Sequence, residues 1–351
     1  MKLSQTPRRP AEFYRSLPKV DLHRHLEGSL RFETVRELAR SHGMDLPPTG
    51  QLKTMVQVQE NEPLTFENFL SKFVTLRLFY RSPEIIGRIT REAIEDAAAD
   101  NIRYLELRFT PVALSRAQDF PLDKVMDWVT LGAQQAERDF GVKTRLIASL
   151  NRHESVALGA QVTYLAVERM PAGIVGIDLA GDEASFSAQP FREIIDYARE
   201  QGLRICINAG EWNSGENVAQ AIDLLGAERI GHGIRVFDSP RAVELALLRN
   251  TTFEVCITSN YQSGAVTAVE EHPIKRMLDA GLNVTINSDD PGISNITLSD
   301  EYRLACDVLG ISLHSLRHRV LAAAQAAFLP AEEARLLVAE IAAEFPPVSG
   351  A

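Results

Sequence analysis

Residues 174–234 read IVGIDLAGDEASFSAQPFREIIDYAREQGLRICINAGEWNSGENVAQAIDLLGAERIGHGI. Three short apolar runs stand in this stretch, Ile174–Leu179, Arg204–Asn208 and Arg229–Ile234. Between them, Arg192–Glu200 and Val218–Leu225 repeat their apolar residues at helical spacing. The runs are nearly continuous in hydrophobicity rather than alternating. That pattern suits strands covered on both faces, so the stretch predicts successive βαβ units in a parallel sheet.

The same grammar extends in both directions. Val20–His25, Ile102–Phe109 and Thr144–Leu150 precede it, and Thr252–Ile257 and Asn283–Asn287 follow, which brings the strand count to eight. Ser82–Ala99 is a further helical segment, with Ile85, Ile86, Ile89, Ala93, Ile94 and Ala97 on one face. No long Pro/Gly/Ser linker divides the series. Eight units without a break predict an α/β fold of the closed (β/α)8 TIM-barrel type, with a doubly wound sheet as the alternative. Residues 26–101 are too many for one crossover helix. They predict extra helices inserted after strand one as a lid over the barrel mouth, with Phe66, Phe69, Phe73, Leu76, Leu78 and Phe79 as their apolar face. Those rings read as packing rather than substrate contact. Residues 313–343 read as terminal amphipathic helices, and residues 1–351 as a single domain.

The overall numbers narrow the function. An apolar fraction of 45% and a charged fraction of 24% exclude a disordered, collagenous or coiled-coil chain. Thirty-seven basic against 47 acidic residues give a net charge of −10, which argues against nucleic acid, an anionic membrane or a polyphosphate as partner. Cys206, Cys256 and Cys306 are widely spaced and form no CxxC pair, so they predict reduced thiols and a cytoplasmic location. No apolar run approaches the roughly 18 residues of a membrane span. The first twenty residues carry Lys2, Arg8, Arg9 and Arg15 without an apolar core, so no secretory signal is expected.

In a parallel barrel, chemistry gathers where strands end. Strand one ends in His23-Arg24-His25, whose spacing of two puts both imidazoles on one side, as two ligands of one metal ion require. Strand eight runs into Asn287-Ser288-Asp289-Asp290-Pro291, an acidic pair that is costly to bury unless paired or coordinated. Strand five ends in Asn208-Ala209-Gly210-Glu211, strand six holds His232 between two glycines, and strand four runs into Gly181-Asp182-Glu183. Each of these signals is weak by itself. Their convergence at one face predicts a mononuclear metal hydrolase. His42, His153, His272, His314 and His318 fall outside the pattern and read as structural or surface residues.

These segments, in this order, resemble the motifs of the adenosine and adenine deaminase family. The likeness is carried by Pro18–Leu30 (PKVDLHRHLEGSL), Tyr104–Phe109 (YLELRF), Gly176–Glu183 (GIDLAGDE), Ile230–Ile234 (IGHGI), Thr258–Asn260 (TSN), Asn287–Pro291 (NSDDP) and Thr297–Tyr302 (TLSDEY). It implies a zinc-dependent barrel enzyme that removes the 6-amino group of a purine by water attack. By the resemblance, His23, His25 and Asp289 are zinc ligands, and Glu211 protonates purine N1. His232 orients and deprotonates the attacking water. Asp290 orients the water or contacts N7, and Gly181 donates its backbone N–H to N3. Glu27 stands where many nucleoside deaminases of the family carry an Asp that reaches the ribose 5′-hydroxyl. One methylene longer, it favours a crowded ribose site and keeps adenine beside adenosine as a substrate.

One position departs from the pattern. The strand-five motif of the family begins with a histidine that ligates zinc, and here it begins with Asn208. A carbonyl oxygen is a weaker and shorter donor than an imidazole, which predicts weaker metal binding or an altered metal preference. Two readings from different classes follow. One is an aminopurine deaminase, and the other is a purine-binding protein that has lost turnover with its third imidazole. A lactonase-type amidohydrolase is disfavoured, because strand four offers no lysine for carbamylation.

Overall fold

The computed structural model describes residues 9–44 and 47–347. Eight strands run as β1 (Lys19–His25), β2 (Ile102–Phe109), β3 (Lys143–Asn151), β4 (Ile174–Ala180), β5 (Arg204–Ala209), β6 (Arg229–His232), β7 (Thr252–Val255) and β8 (Asn283–Ile286). They pair in parallel in sequence order. β1 and the segment after β8 meet through a parallel bridge between Arg24 and Asp289. The His25 amide donates to the Asp289 carbonyl and the Asp289 amide to the His23 carbonyl, each at 2.8 Å. First and last strands therefore adjoin, which makes the sheet a barrel and removes the doubly wound alternative.

All eight predicted strands are present, with small differences at their ends. β6 stops at His232 because His232 and Gly233 both turn to positive φ, +61° and +65°, outside the extended region. Ile257 begins a short helix, Ile257–Gln262, instead of ending β7.

Four helices fill the interval after β1: Phe32–Ser41, Thr49–Val56, Phe66–Leu76 and Pro83–Ala99. The last is capped by the Ser82 hydroxyl, which accepts the Ile85 amide, and it begins with a proline whose missing N–H costs nothing there. Its predicted apolar face is buried throughout. Phe69, Leu76 and Phe79 are buried as expected, but Leu78 is 54% exposed. The chain tightens to a 3-10 turn at Arg77–Phe79, and about three residues per turn swing Leu78 outward. Phe66 packs with its ring centroid 4.2 Å from that of Trp212, so its partner is the loop after β5 rather than the core. The chain ends in two helices, Leu313–Ala326 and Ala331–Glu344. Lys2 and Arg8 lie outside the described residues, among which no helix is long and apolar enough to cross a membrane.

The middle of the barrel is charged. Arg108 pairs with Asp178 at 2.8 Å and with Glu254. Arg229 pairs with Glu106 and, at 2.6 Å, with the other oxygen of Glu254. All five side chains are buried, an arrangement that survives only because every charge has a partner. This layer forms the floor of the site.

Candidate active site

The seam between β1 and β8 decides the geometry, because it joins motifs from the two ends of the barrel. His23 Nε2 lies 3.3 Å from Asp289 Oδ1, and His25 Nε2 lies 3.5 Å from the same oxygen. On its other side, His23 Nδ1 sits 3.0 Å from Glu254 Oε2, which fixes the ring and leaves Nε2 facing the site. Among the described residues Nε2 has no hydrogen-bond partner, although His23 is fully buried. Burial also lowers His25 to about 4, so its imidazole stays neutral and available as a donor. Two imidazoles and a carboxylate around an orphaned buried nitrogen make a donor set suited to a divalent cation such as zinc.

Asn208 does not complete the set in the way an imidazole would. Its side-chain oxygen is 3.4 Å from Arg108 Nη1, a cation that draws on the same oxygen. The side chain lies against Gly231, where an added Cβ would overlap it. The structure instead brings up a sulfur. One ligand atom each of His23, Cys256 and Asp289 lie within 4.8 Å of one another. That grouping was not legible in the sequence, where Cys256 had no spacing signal.

Glu211 and His232 stand beside these donors. Glu211 Oε2 is 3.4 Å from His232 Nε2, which in turn is 4.0 Å from Asp289 Oδ2. Burial first, then the charges of Asp289 and Glu183, push the Glu211 carboxyl well above its usual value. Burial lowers His232 to about 3. The site thus pairs a carboxyl that keeps its proton with an imidazole that stays neutral. Burial and the adjacent Asp289 charge also raise Asp290, so the acidic pair carries one charge rather than two. Both His232 and Asp289 adopt left-handed backbone, φ +61° and +59°, a conformation that costs a non-glycine residue energy and is held by the surrounding bonds.

Glu27 and Gly181 follow the ends of β1 and β4. Glu27 Oε1 accepts the Thr110 amide at 2.6 Å, while Oε2 is buried with no partner among the described residues. Gly28 approaches Asp290 so closely that any Cβ there would fall on the carboxylate. Gly181 (φ +91°) follows β4, with His153, Arg152 and Asn151 as its nearest neighbours.

Four side chains have supporting roles that the sequence reading did not assign. Glu183 accepts the backbone amides of Gly210 (2.8 Å), Glu211, Trp212 (2.7 Å) and Asn213 (3.2 Å), clamping the loop that presents Glu211. Ser259 donates to Asp289 Oδ2 at 2.6 Å. The amide nitrogen of Asn260 is 3.1 Å from Glu211 Oε1 and 3.1 Å from His232 Nδ1. His272, expected to be structural or superficial, is buried with Nε2 3.2 Å from Asn260 Oδ1. Ser259 and Asn260 share the helix Ile257–Gln262, whose first amides are anchored on Glu301, from Ile257 at 2.7 Å and Thr258 at 3.1 Å. Glu183 beside a glycine turn, and Ser259 and Asn260 within the TSN motif, gave a sequence signal; His272 gave none.

Comparison with known proteins gives a consistent result. A model of the adenosine deaminase family matches residues 18–344. An adenosine deaminase from Klebsiella pneumoniae is 36% identical over 329 residues, covering 93% of this chain and 98% of the relative. The crystal structure of an adenine deaminase from Arthrobacter aurescens superposes with a TM-score of 0.84 at 29% identity, covering 93% of this chain and 98% of the other. An amidohydrolase from Burkholderia ambifaria solved with bound zinc gives a TM-score of 0.82 at 26% identity, covering 98% and 97%.

Proposed function

The chain belongs to the adenosine deaminase family, a deaminase by that membership, and we propose that it hydrolyses the 6-amino group of adenosine or a close relative such as adenine, releasing ammonia. The observation that carries this reading is the buried pair of Glu211 and His232, 3.4 Å apart beside the His23–His25–Asp289 donors.

The residues divide the work as follows. His23, His25 and Asp289 would hold the zinc ion, with Asn208 contributing little while its oxygen serves Arg108. Bound zinc supplies a nucleophile at neutral pH by lowering the pKa of water toward about 7. Glu211, kept protonated by burial, delivers its proton to purine N1 and relieves the charge that attack at C6 creates there. His232 orients the attacking water, and Asp290 supports it or meets N7. Gly181 offers its backbone N–H to N3. The free Oε2 of Glu27 is an acceptor placed for a ligand hydroxyl, which supports a nucleoside, while the length of Glu27 keeps adenine in view. The helices of residues 26–101 serve as a lid on a single-domain barrel, held at Phe66 against Trp212. Three free cysteines support a cytoplasmic setting.

The test is to supply zinc and then adenosine or adenine, following ammonia release and bound metal together. Turnover with about one zinc per chain supports the reading. Tight purine binding without turnover would establish the binding-only alternative that Asn208 raises. Glu211→Gln is expected to keep its metal and lose turnover; loss of metal instead would make Glu211 a ligand.

A further inference from the structure

A backbone amide forty-two residues from His232 begins a line of hydrogen bonds that ends on that imidazole. The sequence of contacts starts at Ile274, whose N–H donates to His272 Nδ1 at 3.1 Å. A ring nitrogen that accepts carries no hydrogen. Burial lowers His272 to about 3, so the ring is neutral and its single proton sits on Nε2. That Nε2 faces Asn260 Oδ1 at 3.2 Å, which identifies this end of the amide as the oxygen. The opposite orientation would set the Asn260 NH2 against the His272 N–H, two donors facing each other in a buried place.

With the oxygen fixed, the NH2 points the other way. Its two hydrogens meet two acceptors, Glu211 Oε1 and His232 Nδ1, each 3.1 Å from the nitrogen. His232 Nδ1 is thereby an acceptor. An imidazole that accepts at Nδ1 carries its proton on Nε2, the nitrogen that lies 3.4 Å from Glu211 Oε2 and 4.0 Å from Asp289 Oδ2. From Ile274 to His232 Nδ1, each donor meets an acceptor. Asn260 is fully buried and His272 nearly so, which leaves little competition from solvent.

We propose that His272, acting through the Asn260 side chain, is a positioning residue that fixes His232 as its Nε2–H tautomer, so that His232 presents a hydrogen-bond donor to the reacting face. This rests on the reading of His232 as the residue that orients the attacking water. In this tautomer His232 holds the water oxygen by donating to it. Its Nε2 has no lone pair with which to take a proton until the Asn260 amide turns or the Nε2 proton leaves. The resemblance alone, which gives His232 the task of deprotonation, does not contain this restriction. Asn260 sets the tautomer at one end and steadies the Glu211 carboxyl at the other, so the two groups are oriented by a single amide.

The experiment is nitrogen-15 NMR of the zinc-loaded full-length protein labelled in its histidine rings, with His232 and His272 assigned from spectra of His232→Gln and His272→Gln. Both rings are expected to show a protonated Nε2 and an unprotonated Nδ1. A wild-type His232 protonated at Nδ1 overturns the proposal whether or not any variant folds. His272→Ala is expected to mix the two tautomers of His232 and to lower kcat by about tenfold, with KM and zinc content unchanged. His272→Gln, which retains an N–H for Asn260, is expected to restore most of the rate. An unaltered tautomer and kcat in His272→Ala overturns the relay. If the tautomers are as stated but no purine is deaminated, the relay stands and the assigned reaction fails.

Discussion

His23 Nδ1 and Glu254 Oε2 lie 3.0 Å apart at the floor of the site, so the same carboxylate that neutralises Arg108 and Arg229 also aims the His23 ring. The orientation of this proposed ligand is thereby tied to charge balance inside the barrel. Glu254→Gln is expected to weaken zinc affinity by 10- to 100-fold, the usual effect of losing a carboxylate behind a ligating histidine. It should also lower stability by about 3 kcal/mol, because two buried guanidinium groups lose their shared counter-charge. Chelator competition and urea denaturation measure the two effects; an unchanged zinc affinity would show that Glu254 serves the core alone.

Asn208→His replaces an oxygen engaged with Arg108 by an imidazole beside the His23–His25–Asp289 donors. Zinc affinity and deamination rate are both expected to rise by at least about tenfold. If neither rises, Asn208 does not limit this site.

Glu183→Gln removes the charge that gathers four consecutive backbone amides of residues 210–213. The loop carrying Glu211 should loosen, and a displacement of about 1 Å at the reacting group lowers kcat by about 100-fold. Metal content should stay at the wild-type level, since Glu183 contacts none of the proposed ligands. Zinc loss in step with kcat would point to collapse of the whole barrel mouth instead.

Glu27 gives a pH signature. Burial raises its carboxyl from 4.5 to about 7. A folded value above the unfolded one means that its contribution to stability is fully present below about pH 4.5 and is lost as pH rises through about 7. Glu27→Gln keeps an acceptor for Thr110 without an ionisable group. The variant should therefore gain on the wild type between pH 5 and pH 8, by up to about 3 kcal/mol in denaturation experiments. Parallel curves across that range would mean that Glu27 ionises freely in the folded protein.

The architecture and the proposed metal donors were legible in sequence for a common reason. Strand periodicity is local, and His23-Arg24-His25 or Asp289-Asp290 declares its chemistry within a few residues. Glu211 and His232 could be read in the same way, each at the end of its own strand. Boundaries such as Ile257 escaped because a helix start anchored on Glu301 depends on a partner 44 residues away. Leu78 was misplaced because a single 3-10 turn changes the angular step of the helix before it.

The sequence by itself determined the eight-stranded barrel, the acidic surface balance and the residues able to bind a cation or shuttle protons. Only the tertiary structure decided how those residues are oriented. The closure of β1 against the end of β8 places Asp289 between His23 and His25. The buried network through Glu254, Glu183, Asn260 and His272 then fixes which atoms face the site. The physical reason is that a hydrogen bond is directional and spends its specificity across space, whereas a strand or helix repeats along the chain. His272 shows the difference most plainly, since it lacks any motif and acquires a role only through what it touches.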